Sequence, residues 1–335
     1  MQIHKSAPRL VQRGNWENPS PTFRYLEAAG VAVDAADKVY VLTRYDSRVV
    51  VYSASGELLS TWGDAVLKFP HGITVAPDQT VYVADYGGHV VVQFSNDGRV
   101  LRVLGDGAPS ETGYDSSLPD IRSRTETIVG GGPFNLPSMA AIAPSGDIFV
   151  SDGYGNCRIH RFTPDGALRS SWGESGSGTG AFRIPHAVAV DGNERVLVCD
   201  RENDRIQLFS YEGTRIDTWD QVQRPCDVAF DADGLIYVAE LPRFPRDHSF
   251  VHGAPAEELP GRISVLASDG QVLDRLAASP QHGGYDLRAP HSIAIDSRGT
   301  LYVGEVSYPR LRAGVVAAPA KYRPIQVLER REVDE

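Results

Sequence analysis

A unit of about 50 residues recurs along this chain and restricts what it can become, because a fold built from one repeated unit must stack its copies. From Gly30 the unit reads GVAVDAADKVYVLTRYDSRVVVYSASGELLSTWG: a short apolar run, a turn, VYVLT, a second turn, RVVVY, a Ser-Gly turn and LLSTW. The same order returns in HGITVAPDQTVYVADYGGHVVVQFSNDGRVLRVLG, in SMAAIAPSGDIFVSDGYGNCRIHRFTPDGALRSSWG and in HAVAVDGNERVLVCDRENDRIQLFSYEGTRIDTW. A fifth copy, from Gln223, is interrupted and resumes as GRISVLASDGQVLDRLA, and a sixth, from Leu287, resumes as KYRPIQVLER without a fourth run.

Each run alternates apolar and polar residues over a few positions, and Asp-Gly, Ser-Gly or Glu-Gly pairs separate the runs. That is the pattern of half-buried antiparallel strands joined by tight hairpins, and helical periodicity is nearly absent. Four strands in each of six units predict an all-β, six-bladed β-propeller formed by residues 1–335 as a single domain. The N-terminal segment 9–16, RLVQRGNW, matches LLSTWG in pattern and precedes the first unit, so it is expected to supply the missing fourth strand of the last blade and close the ring. Three stretches break the period: 106–132 between blades two and three, and 242–260 and 307–320 inside blades five and six. Long insertions in a regular scaffold are often functional loops, and these could cover one mouth of the channel.

A formal charge of -10 and the absence of a basic stripe argue against nucleic acid or an acidic membrane as partner. Cys157, Cys199 and Cys226 fit no Cys-x-x-Cys spacing, and an odd number argues against a disulfide framework. With no apolar leader and no run long enough to span a bilayer, the expectation is a cytoplasmic protein acting on a small molecule, its oligomeric state left open.

Histidine then falls into register with the repeat. His71 in FPHGITV, His186 in IPHAVAV and His291 in APHSIAI open the first strands of blades two, four and six, at separations of 115 and 105 residues. In a propeller the first strands line the channel, so alternate blades would turn three imidazoles inward at one height, the ligand set of a zinc site with an open fourth position. Ala29, Ser138 and Cys226 hold the matching place in the other blades, so the repeat itself does not require histidine there. The other histidines, His89 and His160 among them, share no such register and are expected to be structural or solvated. A second ring, Asp85, Asp152, Asp200, Glu240 and Glu305, ends the second strands, and its recurrence suggests a shared structural task such as bonding turn amides. Near it, Arg44, Tyr154 and Arg201 are side chains suited to binding oxyanions or moving protons.

These units resemble NHL-type repeats, and SDGYGNCRIHRF, WGESGSGTGAFRIPHAVAV and CDRENDRIQLF resemble the peptidyl-α-hydroxyglycine α-amidating lyase (peptidylamidoglycolate lyase) family. The resemblance spans the propeller and is densest over 134–210. It implies a zinc-dependent lyase that cleaves a carbinolamide into an amide and glyoxylate, with zinc on His71, His186 and His291, Tyr154 as base, and Arg44 and Arg201 as active-site arginines, Arg201 near the substrate carboxylate. It leaves calcium open, since Ser292 stands where the family has an aspartate that helps bind a structural calcium. Gly155 replaces a disulfide-forming cysteine, in keeping with a reducing compartment. Two other readings stay in play: a metal-dependent lactonase-like hydrolase, and a non-catalytic NHL-repeat interaction module.

Overall fold

The computed structural model describes residues 7–14, 16–17, 27–44, 48–245, 247, 249–277, 285, 287–306 and 324–330, so the insertion expected at 307–320 lies outside the described residues. Six four-stranded sheets carry the chain, the six-bladed β-propeller of the repeat. One short helix, Ile121–Glu126, stands among the described residues inside the 106–132 insertion, its first turn capped by the Asp120 side chain.

The blades gather into two compact units. One runs Ala65–Pro225 with Pro245–Ala256, the other Met1–Asp64 with Cys226–Phe244 and Glu257–Glu335. In the first, blade two has strands Pro70–Val75, Val81–Asp85, Val90–Phe94 and Val100–Leu104. Blade three has Met139–Ile142, Ile148–Asp152, Arg158–Phe162 and Leu168–Trp172, and blade four has Pro185–Val190, Val196–Asp200, Arg205–Phe209 and Arg215–Trp219. Tyr82, Phe134, Ile148 and Phe162 pack between blades two and three, and Phe149, Ile159, Phe182 and Phe209 between three and four. A single apolar face per strand, repeated, makes each blade depend on its neighbour.

In the second unit, blade five has Pro225–Phe230, Ile236–Glu240, Arg262–Leu266 and Val272–Ala277, and blade one has Gly30–Val33, Val39–Leu42, Val49–Tyr52 and Leu58–Trp62. Blade six combines Pro290–Ile295, Leu301–Glu305 and Ile325–Arg330 with the N-terminal strand Leu10–Arg13, which pairs antiparallel to the last of these, Leu10 opposite Arg330. The N-terminal segment thus supplies the fourth strand that the sixth copy lacks. Trp16 anchors it, buried against Tyr52 and Tyr302 and donating to the Ala54 carbonyl.

The hairpins follow from their turn residues. Asp34, Asp191, Asp231 and Asp296 each accept two backbone amides within their own turn through one carboxylate oxygen. The ring of acids ending the second strands has the structural task anticipated for it. Asp85 accepts from Lys68 and Phe69 amides at 2.8 and 2.7 Å, Asp152 from the Asn135 amide, Asp200 from the Arg183 amide, and Glu305 from the Arg288 and Ala289 amides. Each clamps the segment entering a first strand. In blade five Glu240 accepts from Arg262 Nε at 2.7 Å.

Asp227 supplies a further tie, accepting the Val228 amide and, from blade six, the Ile293 amide at 3.0 Å. Burial raises its carboxyl to about 7. The folded chain therefore holds this proton more tightly than the unfolded chain does, so the stability Asp227 contributes is fully present below about pH 4 and is lost as pH rises through about 7. Urea unfolding at pH 5 and pH 8 is expected to show a smaller loss across that interval in Asp227→Asn than in the parent. A second variant, Asp85→Ala, strands two amides and is expected to cost about 3 kcal/mol in the same assay.

Candidate active site

The three Pro-His pairs adopt one local geometry. The ladder between first and second strands slips by one residue at each, Pro70 pairing with Asp85 and Gly72 with Ala84, Pro185 with Asp200 and Ala187 with Cys199, Pro290 with Glu305 and Ser292 with Gly304. Proline brings no amide hydrogen to the ladder, and the bulge drops the histidine from the strand register, which lets its ring turn away from the sheet. All three histidines are buried.

Two of the rings are tied back to backbone. His71 Nδ1 lies 2.9 Å from the Ser138 carbonyl and His291 Nδ1 lies 2.8 Å from the Ala29 carbonyl. A carbonyl only accepts, so each Nδ1 carries a proton, and in the neutral ring each Nε2 presents a lone pair. The non-histidine residues at matching positions in the repeat, Ala29 and Ser138, thus have a role of their own: their carbonyls orient the rings. At Gly72 the blades run so close that a Cβ would fall 2.3 Å from the Ser138 carbonyl oxygen. One ring nitrogen of each of His71, His186 and His291 lies within 4.8 Å of the other two, so these buried histidines could hold a metal ion. A buried imidazole fixed through its second nitrogen, as His71 and His291 are, is a donor suited to such an ion.

Tyr154 sits against this group. Its hydroxyl lies 3.1 Å from His71 Nε2, 3.1 Å from His186 Nε2 and 2.8 Å from Arg201 NH1, which donates to it. The Arg201 guanidinium also lies over the Tyr154 ring, 5.1 Å from its centroid. Gly153 makes the approach possible, because a Cβ there would stand 2.3 Å from the carbonyl oxygen of Pro185, the residue before His186. Of the residues singled out in the sequence, His71, His186, Tyr154 and Arg201 meet directly. Arg44 is placed against Glu27, at 3.1 Å.

Three participants escaped the sequence reading. Tyr86 stacks on His71 with centroids 6.2 Å apart and meets Tyr154 edge-on at 5.1 Å. A signal existed, since Tyr86 follows Asp85 just as Arg201 follows Asp200. Glu202 accepts from Arg201 Nε at 2.8 Å and from Arg224 NH2 at 2.9 Å, compensating a guanidinium that is 5% exposed. Nothing in the repeat pattern marks that pair.

A model of the NHL repeat matches residues 67–94 and 182–209, the segments that carry His71 and His186. Human NHL repeat-containing protein 3 is 31% identical over 294 residues, covering 82% of this chain and 76% of that protein. This chain belongs to the NHL-repeat family. The NHL-repeat chain is also 29% identical to Drosophila melanogaster peptidyl-alpha-hydroxyglycine alpha-amidating lyase 1 over 80% of its own length, and spans 48% of that relative. A gluconolactonase structure from Xanthomonas campestris superposes with a TM-score of 0.58 at 15% identity, covering 92% of this chain and 87% of that one, a likeness of fold alone. Among the described residues of the NHL-repeat chain no helix is long and apolar enough to cross a membrane, and all three cysteines are buried and outside any disulfide.

If the histidines hold a metal, the purified protein loaded with zinc and dialysed retains about one ion per chain, and His186→Ala retains little, by elemental analysis.

Proposed function

We propose that this NHL-repeat protein is a zinc-dependent lyase of the peptidylamidoglycolate-lyase type, acting at a hydroxylated carbon of a small carboxylate-bearing compound. The observation that carries the reading is the Tyr154 hydroxyl, held at once by two of the metal-competent histidines and by Arg201. Similarity to relatives named as lyases supports it from outside the structure.

In this reading His71, His186 and His291 hold zinc, which when bound supplies a Lewis acid for the substrate's oxygen. Tyr154 takes the hydroxyl proton, and Arg201 donates to the tyrosine oxygen as it does so. Loss of that proton lets the carbon–oxygen bond become the carbonyl of glyoxylate while the carbon–nitrogen bond breaks, its electron pair going to the nitrogen, which takes the proton back from Tyr154 and leaves as an amide. Arg201 sits close enough to Tyr154 to grip the substrate carboxylate beside it. Arg44 joins it on the strength of the family resemblance. Glu202, shared with Arg224, keeps Arg201 oriented. A lactonase-type site would be expected to offer carboxylate and amide ligands, whereas the candidate metal group among the described residues is histidine throughout.

The zinc-loaded protein is expected to release glyoxylate from α-hydroxyhippurate and to stop when a chelator is added. Tyr154→Phe should lower kcat at least about 100-fold while retaining its metal. Full turnover in that variant would remove Tyr154 from the chemistry, and no glyoxylate from the metal-loaded parent would remove the lyase reading.

A further inference from the structure

The 106–132 insertion builds a cavity of about 640 Å³ against blades two and three, a size that takes a small organic group with room to spare. Tyr86, His89, Ser110, Arg124 and Leu136 are among its walls. It adjoins the tyrosine site by two routes. Tyr86 is a shared wall, stacked on His71 and edge-on to Tyr154. The cavity residues Asn135 and Leu136 also accept backbone bonds from Gly155 and Tyr154, at 3.0 and 3.4 Å.

Three residues of this cavity, His89, Arg124 and Ser110, keep donors unused among the described residues. His89 Nδ1 accepts from the Leu136 amide at 3.3 Å, and burial lowers the pKa of its ring, so a neutral His89 carries its proton on Nε2 as a donor. Arg124 spends Nε on the Leu118 carbonyl at 2.7 Å, and its terminal nitrogens make no hydrogen bond among the described residues. The Ser110 hydroxyl oxygen is buried without a partner. Leaving such groups unmatched is costly unless an acceptor fills the space. Glu111, at the exposed rim, is the one carboxylate among the lining residues.

We propose that this cavity is the subsite for the substrate's acyl group, and that it selects an acyl chain ending in a second carboxylate. Arg124 supplies the charge, and Ser110 and His89 supply flanking donors. The inference rests on the lyase reading for its placement of the reacting carbon beside Tyr154. The cavity's preference for an acceptor-rich group stands on its own lining. A benzoyl group would fill part of the volume and leave the donors unmatched.

The test compares N-succinyl-α-hydroxyglycine, its neutral succinamoyl analogue and α-hydroxyhippurate on the zinc-loaded protein. The succinyl compound is expected to have the highest kcat/KM, and in Arg124→Ala the ratio of succinyl to benzoyl kcat/KM should fall about tenfold. Ser110→Ala, a milder change, should lower the same ratio about threefold. Calorimetric titration with N-succinylglycine, which lacks the reacting hydroxyl, separates the two claims. Binding that weakens about tenfold in folded Arg124→Ala supports the subsite even if no compound is turned over, an outcome that would overturn only the lyase reading. Turnover of all three compounds with unchanged ratios in both variants, or N-succinylglycine binding that ignores Arg124 and Ser110, overturns the subsite.

Discussion

Each histidine's direction depends on a carboxylate gripping the amides just upstream of it. Asp85 holds Lys68 and Phe69, Asp200 holds Arg183, and Glu305 holds Arg288 and Ala289, each within a few residues of a Pro-His pair. The clamp pins the chain as it enters the first strand, and the ladder then resumes one residue late because proline has no amide to give. Between these two constraints the histidine is dropped from the strand register and its ring is turned out of the sheet. A structural device common to the repeat therefore aims residues that the repeat itself does not specify.

That division explains what the sequence could and could not tell. Periodic features were readable: the blades, the closing strand near Leu10–Arg13, the histidine register and the clamping acids all follow from comparing one copy with another. Tyr154 and Arg201 were legible because they follow the clamping acids in a fixed frame, and Tyr86 was overlooked although it occupies the same frame. The Glu202–Arg224 pair was not legible, since it joins the end of one strand pair to the approach of another blade and no spacing encodes it. The cavity was hidden for the same reason. Its walls come from Tyr86 and His89 in one blade, Asn135 and Leu136 beside the next, and an aperiodic loop, and only folding brings them together.

The insertions also change meaning once their contacts are known. Residues 245–256 interrupt blade five in sequence but belong by packing to the unit that holds blades two to four. Phe250 lies between Arg122 of the 106–132 insertion and Arg183, with guanidinium carbons 4.3 and 4.8 Å from its ring centroid. Ser249 donates to Asp204, and the Phe250 amide reaches the Glu202 carbonyl at 3.5 Å.

This strap covers the same loop that presents Arg201. A buried guanidinium is tolerable only with a compensating charge, and Glu202 provides it while being shared with Arg224, itself within 3.7 Å of Asp247 on the strap. The chain of charges runs from the strap through Arg224 and Glu202 to Arg201 and ends at the Tyr154 hydroxyl. Low exposure keeps water from screening it, so each link constrains the next more tightly than a surface pair would. The scaffold supplies the histidines by repetition. The Arg201–Tyr154 contact beside them is instead braced by aperiodic segments, the parts free to change without disturbing a blade.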